Sequence, residues 1–239
     1  MKRKKYTDPV KQFLYLGNPK VSSYLPNEWP NYVEAYGLTK SDIPQLFEMA
    51  SDMELNFADT ESKKVWAPIH AVRALAQLHT EEVVDGLLNL WLELEDDEWM
   101  NEMILGAFIE LGELAIPSLK TFFEDHRDED IVLSIPEAFG KMPVKYPNLR
   151  NKCINFLKEK LQRYGRQSPE LNSFLIWALT DLRATNALPL IKKAFMDDCV
   201  DEMIVGDWRS VRYEISQESK HKFSAKKSVL ENLIMKKPK

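Results

Sequence analysis

The side chains best suited to chemistry in this chain are four histidines, His70, His79, His126 and His221, two cysteines, Cys153 and Cys199, and several runs of carboxylates. Nucleophilic catalysis needs a nucleophile with a base in hydrogen-bond reach. No Ser, Cys or second His stands at a helpful spacing from His70. His126 lies among Asp125, Asp128 and Asp130, a set able to chelate a metal, but this turn lacks the Gly of an EF-hand loop. Cys153 and Cys199 are far apart, and no Cys/His array has metal-ligand spacing. Neither a zinc site nor a disulfide framework is expected, and a reducing, cytoplasmic setting is. Nothing in these patterns calls for a cofactor or a resident metal.

The carboxylates gather in three places. Glu93, Glu95, Asp96, Asp97 and Glu98 form one run; Glu124, Asp125, Asp128, Glu129 and Asp130 form the next; Asp197, Asp198, Asp201 and Glu202 form the last. Such groups cap helices and complement helix dipoles. Aligned along one edge, they would also make an acidic ridge for a basic partner or for cations. Three tryptophans are candidate contact residues. Trp66 and Trp99 hold equivalent positions about one repeat apart and are expected to be stacked neighbours, either as core filler or as a recognition surface. Asp207-Trp208-Arg209 reads as a recognition corner or as the closing cap of the fold.

The elements that must position these groups follow from a repeat. The segments 66–78, 99–111, 130–142 and 170–182 align with apolar residues at i, i+4, i+7, i+8 and i+11, one face of a 3.6-period helix. Their ninth position is always alanine: Ala74, Ala107, Ala138 and Ala178. A second helix opens soon after each, with Pro at its start in Ile116-Pro117, Tyr146-Pro147 and Leu188-Pro189 and with Asp in Val84-Asp85. Proline suits a first helical turn because its missing N–H would be unpaired there. Ile43-Pro44-Gln45-Leu46 reads as a further second helix, preceded by a degenerate first helix at 32–36. Five helix pairs result, near 29–51, 65–94, 98–125, 129–164 and 169–197. Pro136 falls inside a first helix and is expected to kink it. His70 takes the column of Met103, Ser134 and Phe174, so a packed, hydrogen-bonded histidine is expected. Residues 52–64 read as a long polar connection.

These residues resemble the HEAT-repeat family, particularly its bacterial branch akin to the phycobilisome-lyase-type repeats. Ile69-His-Ala-Val-Arg-Ala-Leu-Ala-Gln-Leu78 is similar to the family's V-R-x-x-A-x-x-x-L run, and Trp177-Ala-Leu-Thr-Asp-Leu-Arg-Ala-Thr-Asn-Ala-Leu-Pro-Leu190 is similar to its second-helix entry. The resemblance covers about 29–197. It implies an all-α fold, a right-handed α-solenoid of about five HEAT-like helix pairs, with second helices lining the concave face. Residues 1–28 read as an irregular N-terminal arm and 198–239 as a C-terminal cap and basic tail.

Charge bounds the function. Residues 1–20 carry six Lys/Arg and one Asp, residues 212–239 eight Lys/Arg and three Glu, while the whole chain is at −5. The intervening body is therefore strongly acidic, which argues against a groove that tracks nucleic-acid phosphates. No run of about 18 apolar residues exists to span a membrane, and the basic start lacks the apolar stretch of a signal peptide. The expected function is a non-catalytic protein–protein interaction scaffold with an unidentified protein partner. The alternative is a HEAT-fold enzyme, DNA glycosylase-like or chromophore-lyase-like. Second helices carry Arg150, Lys158, Lys192 and Lys193 at non-core positions, after Asp85 and Asn89 in the earlier pairs, so their face is expected to grade from negative to positive along the chain. With Trp66, Trp99 and Trp208, these four basic residues are the candidate partner-binding set.

Overall fold

A computed structural model of the chain describes residues 6–19, 24–94, 97–126 and 130–217. Among the described residues the fold is all-helical, with no strand. The α-helices are α1 (Tyr32–Tyr36), α2 (Ile43–Ala50), α3 (Met53–Asn56), α4 (Ala67–Gln77), α5 (Glu81–Glu93), α6 (Glu98–Leu111), α7 (Ile116–Asp125), α8 (Ile135–Lys145), α9 (Arg150–Leu161), α10 (Pro169–Asp181), α11 (Leu188–Met196), α12 (Glu202–Val205) and α13 (Trp208–Ser216). The chain divides into two compact units, the first ending at Arg150 and the second beginning at Asn151.

In the first unit α2, α4, α6 and α8 form a row, each packed on the next. Ala74, Ala107 and Ala138 are fully buried in α4, α6 and α8, as the repeat register requires. A methyl side chain at these points lets neighbouring backbones approach closely. Around them pack Leu75, Phe108 and Phe139, all without solvent exposure. Burying side chains of this size contributes roughly 1.5–3 kcal/mol each. The helix starts are locally encoded. The Thr80 hydroxyl accepts from the Val83 amide to cap α5, and the Asp97 carboxylate accepts from the amides of Trp99 and Met100 to cap α6.

Four features of this unit depart from the sequence reading. First, Pro136 does not kink a helix. A 3₁₀ turn at Asp130–Ser134 precedes α8, which begins at Ile135 and takes Pro136 in its first turn, where no amide donor is needed. Second, α2 packs along α4, in the row of first helices, although its sequence pattern reads as a second helix. Third, the polar connection 52–64 contains α3, capped by the Asp52 carboxylate accepting from the Glu54 amide, and leads into a 3₁₀ turn at Lys63–Trp66. Fourth, the arm is core. Phe13 is fully buried, edge-on to Tyr32 at 5.6 Å and Tyr36 at 5.2 Å, while the Tyr6 hydroxyl donates to the Asp52 carboxylate at 2.6 Å. Burial and that carboxylate both push the Tyr6 phenol above its usual range. Farther along the arm, the Tyr24 hydroxyl donates to the Glu137 carboxylate.

In the second unit α10 packs against α12 and α13, and α11 also touches α13. Ala178 is buried in α10, the fourth member of the alanine series. Two buried polar residues of α10 tie down the loops. Asn172 donates to the carbonyls of Tyr164 and Cys199 at 3.0 and 2.8 Å, and its own carbonyl accepts from Gln167 at 2.9 Å. The Ser173 hydroxyl accepts from the Asp201 amide at 2.8 Å. Fully satisfied buried amides of this kind specify one loop arrangement rather than merely tolerating burial. Cys153 and Cys199 are free thiols, the first buried and the second half-buried.

Candidate partner-binding surface

The described histidines, His70, His79 and His126, are committed to structure. In the first unit, His70 Nε2 faces the Gly17 carbonyl at 2.8 Å and Nδ1 meets the Tyr32 hydroxyl at 2.7 Å. His79 sits between two carbonyls, its Nε2 3.2 Å from that of Glu110 and its Nδ1 3.2 Å from that of Gln77. The His126 ring stacks on Phe122 at 4.0 Å and its Nδ1 donates to the Phe122 carbonyl at 3.1 Å. His221 lies outside the described residues, as do Glu95, Asp96, Asp128 and Glu129 of the acidic runs. Among the described residues no group of three or more His, Cys, Asp or Glu side chains is placed to hold a metal ion. None of the helices there is long and apolar enough to cross a membrane.

An open cleft of about 640 Å³ in the first unit is lined by Trp29, Asn31, Gln77, His79, Glu110 and Lys145, among others. Its polar groups serve one another. Lys145 pairs with the buried Glu110 carboxylate. Gln77 accepts from the Tyr32 amide at 2.8 Å and donates to the Pro30 carbonyl at 2.9 Å. The Tyr146 hydroxyl donates to the Glu110 carbonyl at 2.5 Å, and burial pushes that phenol up to about 12. The cleft is thus a junction between the arm and the ends of α4, α6 and α8.

The tryptophans are different. The Trp66 and Trp99 rings lie with centroids 5.4 Å apart, inclined by 45°, so they are neighbours but tilted rather than stacked. Trp66 is half-buried at the end of its 3₁₀ turn, and Trp99, in the first turn of α6, is 61% exposed. The core reading therefore fails for Trp99. The reason lies in the helix start: Trp99 occupies the first turn of α6, ahead of the apolar face that begins at Met100. The 3₁₀ turn carrying Trp66 packs against α3 and against the 3₁₀ turn Val10–Tyr15. These neighbours bring more exposed apolar side chains, Phe57 at 78%, Met53 at 51% and Tyr15 at 61%. The sequence reading missed all three. Phe57 did carry a signal, since it is a large aromatic in a polar stretch with no place in the repeat register. Exposed apolar side chains carried on segments packed side by side are the kind of surface that marks interaction sites.

The remaining candidates lie elsewhere. Trp208 begins α13, half-buried, its ring 6.1 Å from Phe195 of α11. Asp207 caps this helix by accepting from the Ser210 amide at 2.8 Å, and the Ser210 bonds hold its carboxyl below the usual range. Together with buried Val211 and Ile215, this makes 207–209 the start of a packed helix. Arg150 opens α9 and is exposed; Lys158 is half-buried farther along α9; Lys192 and Lys193 are exposed on α11. Within the acidic runs, Asp97 and Asp201 cap helices, Asp201 by accepting from the Met203 amide at 2.9 Å. Asp197 accepts from the Tyr164 hydroxyl at 2.6 Å.

Comparison of the chain with protein-family models, curated proteins and solved structures finds no match.

Proposed function

We propose that the chain is a right-handed α-solenoid of HEAT-like helix pairs and acts as a non-catalytic protein–protein interaction scaffold. Support for the architecture comes from the buried alanine at one register in α4, α6, α8 and α10, and from the α2–α4–α6–α8 row. Such units cannot bury their apolar faces alone and stack in series. The observation that carries the function is the exposed Trp99 beside Trp66, with Phe57 and Met53 on the adjoining segment. Exposed Trp is a costly thing to leave in water and a frequent anchor in interfaces. Use of both ring nitrogens of His70 in packing contacts favours this reading over a catalytic one.

One experiment tests it. A photo-crosslinking residue placed at position 99 should trap a discrete protein adduct in native lysate. An adduct at position 192 and none at 99 would move the surface to the second-helix face of Lys192 and Lys193. No adduct at either position would sink the scaffold reading.

A further inference from the structure

The first unit is where the acidic charge resides. Residues 21–150 carry 25 Asp/Glu against nine Lys/Arg, whereas residues 151–211 carry eight against nine. The aromatic surface sits inside this negative region. Its three supporting segments, 10–15, 53–66 and 97–102, hold Glu54, Asp59, Glu61, Asp97, Glu98 and Glu102 against Lys11, Lys63 and Lys64. Glu54, Asp59, Glu61 and Glu98 are exposed. Lys11, Lys63 and Lys64 are exposed too, so on these segments six carboxylates stand against three cations and the balance is negative. An apolar centre with a carboxylate rim repels acidic and phosphate-bearing surfaces. It complements a segment that presents an apolar stripe between cations.

We infer that the Trp66–Trp99 surface takes a cationic amphipathic segment of a partner protein, its apolar stripe against Trp99 and Phe57 and its Lys/Arg side chains over Glu54, Glu61 and Glu98. This rests on the scaffold reading and names the partner chemistry for the same surface. Attraction by the rim speeds encounter and selects the sign of the partner, while the aromatic centre sets the lifetime of the complex. The contact is therefore salt-sensitive in its formation and Trp99-sensitive in its persistence.

The test uses the full-length protein and three labelled peptides of equal length and identical leucine stripe, with polar faces of lysine, glutamine or glutamate, followed by fluorescence anisotropy. The lysine peptide should bind at low salt and lose affinity as salt rises. The glutamine peptide should bind at least about tenfold more weakly, and the glutamate peptide not at all. Trp99→Ala should weaken the lysine peptide about tenfold or more, mostly through faster release, and Glu98→Lys should slow its association. Equal binding of the lysine and glutamine peptides overturns the cationic partner while leaving an apolar docking surface intact. Lysine-peptide binding that is indifferent to Trp99→Ala places the contact on some other acidic patch and overturns the proposal. Failure of all three peptides overturns it too, and the adduct at position 99 then reports separately on the scaffold reading.

Discussion

The Tyr32 hydroxyl lies 2.7 Å from Nδ1 of His70, and this fixes the state of the ring. Nε2 faces the Gly17 carbonyl, which can only accept, so Nε2 carries the hydrogen and Nδ1 receives the Tyr32 proton. The ring is neutral and joins three parts of the first unit: the arm, α1 and α4. Burial pushes its pKa from 6.5 down to about 4, against the pull of the Gly17 bond and with help from the nearby Arg73 charge.

That shift predicts acid sensitivity. Between pH 6.5 and about 4 the unfolded chain takes a proton on His70 that the folded chain refuses. Stability therefore falls as pH drops through this window, by about 3 kcal/mol in total from this group. Urea midpoints measured from pH 7 to 4 should show the loss. His70→Gln, which cannot titrate, should lower stability at neutral pH but remove this part of the acid slope. An unchanged slope in the variant would mean His70 is not the group responsible.

Gly106 in α6 predicts a reversal of helix propensity. Ordinarily Gly→Ala within a helix stabilises by about 1 kcal/mol. Here an added Cβ would meet the Tyr24 carbonyl oxygen at 2.1 Å and Trp29 Cζ2 at 2.9 Å. Backbone cannot swing aside as a side-chain tip can, so Gly106→Ala should destabilise by roughly 1–3 kcal/mol. The neighbouring Ala107→Phe should cost a similar amount by overfilling a fully buried site. Denaturation midpoints at or above that of the parent chain for both variants would show that this packing is looser than described.

The Tyr146 hydroxyl donates to the Glu110 carbonyl near the C-terminal end of α6, and in the Nε2–H tautomer His79 donates to the same oxygen. Tyr146→Phe should cost about 1 kcal/mol, the net worth of one such bond. The double variant with His79→Ala should cost more than the two singles combined, by roughly 0.5–1 kcal/mol, because each donor partly covers for the loss of the other. Strict additivity in a double-mutant cycle would argue that the two donors do not share that acceptor.

Periodicity and local chemistry determined much of this protein. The alanine register at Ala74, Ala107, Ala138 and Ala178, the helical class and the Asp97 cap all depend on residues within a turn or two of each other. These are legible because 3.6-residue geometry and capping act over short stretches of chain. Even Pro136, misread as a kink, was governed by a local rule, applied one turn too far into the helix. Other features were decided only by tertiary packing. The arm could become core only once α1 and α4 offered Phe13 a place to go. In the same way α2 joined the row of first helices by docking on α4, which its own residues do not specify. The tilt of Trp66 on Trp99, and the exposure of Trp99 and Phe57, depend on which neighbours arrive to cover a side chain. Burial is a property of the surroundings rather than of the residue. Charge lies between these cases: the sequence places the acidic excess in residues 21–150, but only the packing of α3 and the Lys63–Trp66 turn sets an aromatic surface within it.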